Sequence, residues 1–536
     1  MTSVVTRSFL IRSFLALAAF LIASFVFSEQ SSAQVTAFKQ AIAESASRDK
    51  ALAEFYKSRN YEPIWISKKD GQRRKAFLTA LKKGSNHGLP MERYDAKALE
   101  TLFRSAKSPR DQGRVEVEAS RMFLQYAQDL QSGILTPSRV EEGIKRSAPR
   151  RDRLAQLVAF SKSSPRAYFK SLAPKTQEYT RLMAEKLRLE RLLGKGGWGA
   201  TVTAKSLKPG TSGPQVVALR DRLVRMGYMK RSASQGYDAN LQRAVQMFQL
   251  DHGLAADGVA GAGTIAEINV QVEKRLQSVI VAMERERWLG TDRGKRHVLV
   301  NITDFHARIV ENDKVAFKTR SVVGKNTSDR RTPEFSDTMD HMVINPTWNV
   351  PRSIATKEYL PMMKKNPNAA GHLRLVDGRG RTVSRANVDF SQYSAKNFPF
   401  DMKQPPSNRN ALGLVKFMFP NQYNIYLHDT PQKALFARES RAYSHGCVRL
   451  NDPFDFAYEL LSKQESNPEG YFQSVLKTGR EKRVDLKQPL PVHIIYRTAF
   501  TQAKGKTQFR RDVYGRDAKI FAALAKAGVA LRAVQG

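Results

Sequence analysis

"HVLVNITDF", residues 297–305, is where the hydrophobic repeat of this chain changes period. Val298, Val300 and Ile302 recur at every second residue, which places them on one face of a strand. The same alternation returns in "YNIYLHD" (423–429) and "PVHIIYRTAF" (491–500), with turn-rich stretches such as "GKNTSDRRTP" (324–333) and "NPTWNVP" (345–351) between. The reading is a mostly β domain over 297–500. Within it, residues 352–412 alternate poorly and carry several glycines and prolines, so they read as a lid-like insertion.

Upstream the repeat is helical. Residues 36–205 form a run of helices broken at "SGILTPSR" (132–139) and "GKGGWGATVT" (194–203), with no catalytic constellation, which suits a scaffold domain. Over 213–269, Val216, Leu219, Leu223 and Met226 follow one helical stripe, and Leu241, Ala244, Val245 and Phe248 follow another. Gly253, Gly258 and Gly261 punctuate a turn before a third short helix, giving a compact three-helix module. Residues 501–536 are a C-terminal extension. A chain of 536 residues exceeds what one core organises, and the fold class expected is multidomain α+β.

The formal net charge is +39. Such a balance ordinarily suggests nucleic acid. The N-terminus argues otherwise, because Arg7 and Arg12 precede the apolar run "FLALAAFLIASFVF" (14–27), and Ser31 and Ala33 follow at signal-peptidase spacing. Residues 1–33 are therefore expected to be a signal peptide and the mature protein to be exported to the periplasm. There an anionic wall or membrane surface, and no nucleic acid, is the expected partner.

"YSHGCVRLND" (443–452) holds the only cysteine. One thiol has no intrachain partner, so disulfides contribute nothing to this fold. A lone cysteine is commonly a small buried apolar group, and its neighbours decide otherwise here. Cys447 falls in a short connection between "YNIYLHD" and a helix starting near Asp452 and Pro453, with Phe454, Ala457, Tyr458 and Leu461 as its expected buried stripe. Thr430 is expected to cap a short helix opened by Pro431 on the way. Gly446 lets the backbone approach a substrate closely. A thiol at its free pKa is only slightly ionised near neutrality and needs a base. His428, at a strand end, is one candidate, with a neighbouring carbonyl, most simply that of Asp429, receiving its other ring N–H. His445 is the second, because in extended chain its side chain points the same way as Cys447.

These residues resemble the signature of L,D-transpeptidases with a YkuD-type catalytic domain: His428, then Ser444, His445, Gly446, Cys447 and Arg449 in "SHGCVR". "VVGK" (322–325), "RTPEF" (331–335), "NPTWNVP" (345–351) and "GLVKFMFPN" (413–421) support it, and "FQLDHGLAADGVAGAGT" (248–264) resembles the type 1 peptidoglycan-binding domain. The whole arrangement is similar to the long periplasmic subgroup. The resemblance implies Cys447 as nucleophile, His428 as general base and His445 beside the thiol. It gives Gly446, Arg449, Ser444 and Tyr426 substrate-binding or oxyanion roles, peptidoglycan stem peptides and glycan strands as partners, no cofactor and no metal. The reaction implied is release of D-alanine from a tetrapeptide stem through a cysteine thioester, then a 3→3 cross-link. Two rival readings stand beside it. One is a zinc hydrolase using His428, His445 and Cys447, a ligand set known in catalytic zinc sites. The other is a wall-binding scaffold with an inactive domain.

Overall fold

The computed structural model describes residues 36–290 and 292–534. The signal peptide expected over 1–33 lies outside the described residues. No helix among them is long and apolar enough to cross a membrane.

The N-terminal region is helical, built around an aromatic core in which Trp65, Phe77, Phe123 and Phe160 are fully buried. The Phe123 and Phe160 rings stack at 4.3 Å. Its longest helix, Pro109–Ser132, starts where the Ser108 hydroxyl accepts the Asp111 N–H and proline occupies the first turn. The module downstream has helices Pro214–Arg225, Ala239–Asp251 and Ala262–Ile268, and both stripes read from the sequence are buried. Its turn is pinned by the Gln249 side chain, which donates to Asp257 and Val259 and accepts the Gly258 N–H.

The helix that joins these parts, Val272–Leu289, has no clear apolar stripe in the sequence, and the periodicity argument passes over it. It is nevertheless buried along most of its length, charges included: Arg275, Glu284, Arg285, Glu286 and Arg287 all lie inside. Arg287 pairs with Glu284 at 2.7 Å and donates to the Tyr179 hydroxyl and the His87 carbonyl of the scaffold. Glu286 takes Arg293 and Arg497. Arg285 sits between Glu334 and Asp517.

The β domain is a nine-stranded sheet in the order β11-β3-β12-β10-β9-β4-β13-β1-β2, and β2 also pairs β3. That last pairing closes eight strands into a ring with β11 attached outside. The strands are β1 (Arg296–Asn301), β2 (His306–Glu311), β3 (Lys314–Gly324), β4 (Phe335–Ile344), β9 (Val415–Met418), β10 (Leu427–His428), β11 (Ala442–Ser444), β12 (Val448–Leu450) and β13 (Lys482–Ile495). Val298, Val300 and Ile302 are fully buried, as the alternation requires. The helix Pro453–Leu461 buries Phe456, Ala457, Leu460 and Leu461. This stripe is turned from the one expected: Phe454 and Tyr458 are half-buried and pack on Phe472 instead. Asp452 stands at the cap position, but its carboxylate accepts from Thr319 and Asn451, not from the helix. Thr430 caps no α-helix. Its hydroxyl accepts the Gln432 N–H, and a 3₁₀ turn, Lys433–Ala437, follows.

The insertion is more ordered than its sequence suggests. A second sheet, in the order β5-β8-β6-β7, comprises β5 (Trp348–Asn349), β6 (Arg374–Val376), β7 (Thr382–Val383) and β8 (Asp401–Gln404). It closes over its own core of Met363, Leu375, Phe390, Phe398 and Met402. The C-terminal extension is also folded in. β14 (Ala499–Phe500) pairs β15 (Gln508–Phe509), and helix Arg516–Lys526 packs on Val272–Leu289.

Removing one member of a buried ion pair leaves the other charge uncompensated, at a cost of about 3–5 kcal/mol. Arg285→Ala is therefore expected to lower stability by that amount in urea unfolding followed by tryptophan fluorescence. Arg483→Ala, which breaks an exposed pair with Asp485, is expected to change it by less than about 1 kcal/mol.

Candidate active site

β10 and β12 lie side by side and parallel, with Leu427 opposite Val448 and His428 opposite Arg449. Cys447 is the residue before β12, and the bond from the Val448 N–H to the Tyr426 carbonyl (3.1 Å) carries the pairing back to it. A thiol and an imidazole distant in sequence thus sit on adjacent strands. The turn ahead of Cys447 is held from two sides. The Ser444 hydroxyl accepts the Gly446 N–H at 3.1 Å and donates to the Cys447 carbonyl at 2.6 Å. The Thr332 hydroxyl donates to the Gly446 carbonyl at 2.7 Å.

Gly446 has φ +122°, a conformation that disfavours any residue with a Cβ. This kink is why the same-side expectation for His445 and Cys447 fails, since the rule holds only in extended chain. The His445 ring is exposed and pairs through Nε2 with Glu358 Oε1 at 2.8 Å, on the π-helical turn Ala355–Tyr359 of the insertion. Arg330 meets the same carboxylate at 2.6 Å. His428, Cys447 and His445 therefore do not converge, and among the described residues no group of three His, Cys, Asp or Glu is arranged to hold a metal.

The half-buried thiol donates to the Asn424 carbonyl at 3.5 Å, and among the described residues no hydrogen bond joins it to His428. Burial pushes the Cys447 thiol up to about 11, against the N–H and phenol of Tyr426 and the Arg449 charge, which favour the thiolate. Burial also pulls the His428 imidazole down to about 3, helped by the Arg449 charge and opposed by the Asp429 and Leu412 carbonyls. Nδ1 of His428 is bonded to the Asp429 carbonyl, which places the ring proton there and leaves Nε2 with its lone pair. The resting pair is a neutral thiol and a neutral base.

Tyr426 neighbours both, its ring 5.6 Å from that of His428 and its phenol interacting with Cys447 and Trp348. Arg449 donates to Gln432 at 2.6 Å, and its buried Nε has no partner. Among the described residues it pairs with no carboxylate, so neither Asp452 nor Asp455 neutralises it. It is a cation beside the thiol. Sequence reasoning gave no role to Thr332, Trp348, Asn424 or Glu358. Thr332 lies in the quoted "RTPEF", but nothing in periodicity or composition marks it as a partner of the turn.

The family model of the L,D-transpeptidase catalytic domain, YkuD, matches residues 295–475. A model described as "Putative peptidoglycan binding domain" matches 212–268, and that of a scaffold domain matches 50–185. The chain thus holds one segment that matches a YkuD-type L,D-transpeptidase catalytic domain and, ahead of it, one that matches a peptidoglycan-binding domain. A Haemophilus influenzae protein named "Putative L,D-transpeptidase" is 32% identical over 225 residues, 42% of this chain. The match spans 45% of that relative's length. An L,D-transpeptidase structure from Xylanimonas cellulosilytica has 16% identity and a TM-score of 0.16, covering 55% of this chain and 98% of that one. One from Stackebrandtia nassauensis has 14% identity and a TM-score of 0.21, covering 55% and 97%. At these scores the two structures carry no geometric argument.

With the thiol raised to about 11, alkylation of Cys447 by iodoacetamide is expected to keep rising as pH goes from 7 to 10, with no plateau near neutrality. Arg449→Gln removes a charge that favours the thiolate, so it is expected to slow alkylation at pH 9 about three- to ten-fold, one pKa unit being tenfold in thiolate. A plateau below pH 8 would contradict the assignment.

Proposed function

We propose that the chain forms 3→3 cross-links in peptidoglycan, using Cys447 as nucleophile and His428 as base. The observation that carries this reading is the only cysteine of the chain standing at the Gly446 turn beside Tyr426, His428 and Arg449, inside the segment that matches the transpeptidase family. With a thiol near 11 and an imidazole near 3, a preformed ion pair is disfavoured. The proton leaves sulfur as the C–S bond forms. A turn of the thiol away from the Asn424 carbonyl precedes this, a rotation fast beside any turnover.

Sulfur attacks the carbonyl of the third residue of a tetrapeptide stem while His428 Nε2 takes the thiol proton. The Tyr426 N–H and phenol stabilise charge on the sulfur, and the oxyanion takes donors at the turn. The C–N bond to D-alanine then breaks, and the imidazolium returns its proton to the leaving amine. An amine of a second stem attacks the thioester, His428 takes its proton, and sulfur recovers it as the new amide forms. The amide energy is retained in the thioester, so no ATP is needed. Arg449 holds a substrate carboxylate.

The insertion is the lid that keeps water from the thioester. Glu358, bridging His445 and Arg330, is its contact with the catalytic turn. The substrate lies outside the cytoplasm, and the leader expected over 1–33 supplies the export to the periplasm that this requires.

Incubation with disaccharide tetrapeptide, read by mass spectrometry, is expected to give the cross-linked dimer with wild type and none with Cys447→Ala. A carbapenem is expected to leave one covalent adduct on wild type and none on that variant. Dimer formed by Cys447→Ala would overturn the reading. Glu358→Ala is expected to raise the ratio of tripeptide to dimer several-fold, and an unchanged ratio would remove the insertion from its role as lid.

A further inference from the structure

The C-terminal extension lies beyond residue 475, where the catalytic family match ends, yet two of its side chains reach Thr332, whose hydroxyl holds the turn before Cys447. Tyr514 and Arg516 are buried, as is Thr332. The Tyr514 hydroxyl donates to the Gly324 carbonyl at 2.5 Å and accepts the Thr332 N–H at 3.4 Å. Arg516 donates to the Thr332 carbonyl at 3.0 Å and to Glu334 at 3.2 Å, with its guanidinium 4.9 Å from the Tyr514 ring centroid. Both backbone groups of Thr332 are therefore held by the extension. Its hydroxyl is held as well, accepting the Gly324 N–H at 2.9 Å and donating to the Gly446 carbonyl at 2.7 Å.

Gly324 ends β3 beside Ser444, and the space there is minimal, since a Cβ on it would stand 1.9 Å from the Arg330 carbonyl. The segment Arg330–Thr332 is thus pressed against β3 on one side and tied to Tyr514 and Arg516 on the other. No loop freedom remains at Thr332.

The consequence falls on the Gly446–Cys447 peptide. That unit is planar and trans, so fixing its carbonyl fixes the opposed Cys447 N–H. Glycine imposes little on the plane itself. Among the described residues the Cys447 N–H has no acceptor, which leaves it open to a developing oxyanion. We infer that Tyr514 and Arg516 are positioning residues of the transfer reaction, acting through Thr332 to aim the Cys447 N–H at the tetrahedral oxyanion. This rests on the acyl-transfer reading above, and it gives the C-terminal extension a part in catalysis.

The test separates two reactions of the same sulfur. Acylation by a carbapenem forms an S–C bond at the lactam carbonyl through an oxyanion, breaks the ring C–N bond and passes the sulfur's proton to that nitrogen. Alkylation by iodoacetamide displaces iodide and forms no oxyanion. Thr332→Val removes the hydroxyl at constant shape, and Tyr514→Phe removes the other hydroxyl while keeping the ring. In the full chain each is expected to slow carbapenem acylation about 10- to 100-fold, less than the roughly 100- to 1,000-fold of removing an oxyanion donor outright, because the N–H is misaimed and not lost. Alkylation is expected to stay within about two-fold of wild type. Thr332→Ser, which restores the hydroxyl, is expected to recover acylation, and Arg516→Lys to fall between. Equal losses in both reactions, or acylation unchanged in Thr332→Val, would overturn the inference. Wild type that alkylates but is not acylated would instead remove the functional reading, and this inference with it.

Discussion

The charged row Glu284, Arg285, Glu286 and Arg287 inside helix Val272–Leu289 fixes how the parts of this protein meet. Every one of these side chains is buried, and each finds its counterion or hydrogen-bond partner in another region: His87, Leu135 and Tyr179 in the scaffold, Glu334 and Arg497 in the β domain, Asp517 in the C-terminal extension. Charges taken out of water are tolerable only when so satisfied. Such pairs add little net stability over an apolar core, but they penalise any arrangement in which one region is misplaced. The docked assembly is thereby specified.

That specification reaches the chemistry. Glu334 meets Arg285 of the central helix and Arg516 of the extension, and two residues earlier Thr332 holds the Gly446 turn before Cys447. Burial favours the neutral forms of the thiol and the imidazole alike. A half-buried neutral cysteine resists adventitious oxidation better than an exposed thiolate.

Much of this was legible in the residues. Stripes such as Val216, Leu219 and Leu223 bury as their spacing says, and the alternation at Val298 and Val300 marks β1. A strand end at His428 was legible, and the structure pairs it with Arg449, two residues after Cys447. The central helix escaped because charges interrupt its apolar spacing, and a buried ion pair looks like solvated surface until its partner is known. Residues 352–412 read as irregular because their strands are two to four residues long, too short to show a period. The direction of His445 was misjudged because one positive φ at Gly446 reverses what an extended chain would do. Thr332, Tyr514 and Arg516 act only through contacts between segments far apart in sequence, which no local pattern encodes.

The pairing of β2 with β3 that closes the ring has a further effect on how this protein behaves among its neighbours. A strand with an unpaired side is a template on which another chain can add. Among the described residues the strands at the ends of the sheets, β5, β7, β11, β14 and β15, are each two or three residues long. Those sheet ends thus offer foreign polypeptide too few residues on which to add a stable strand.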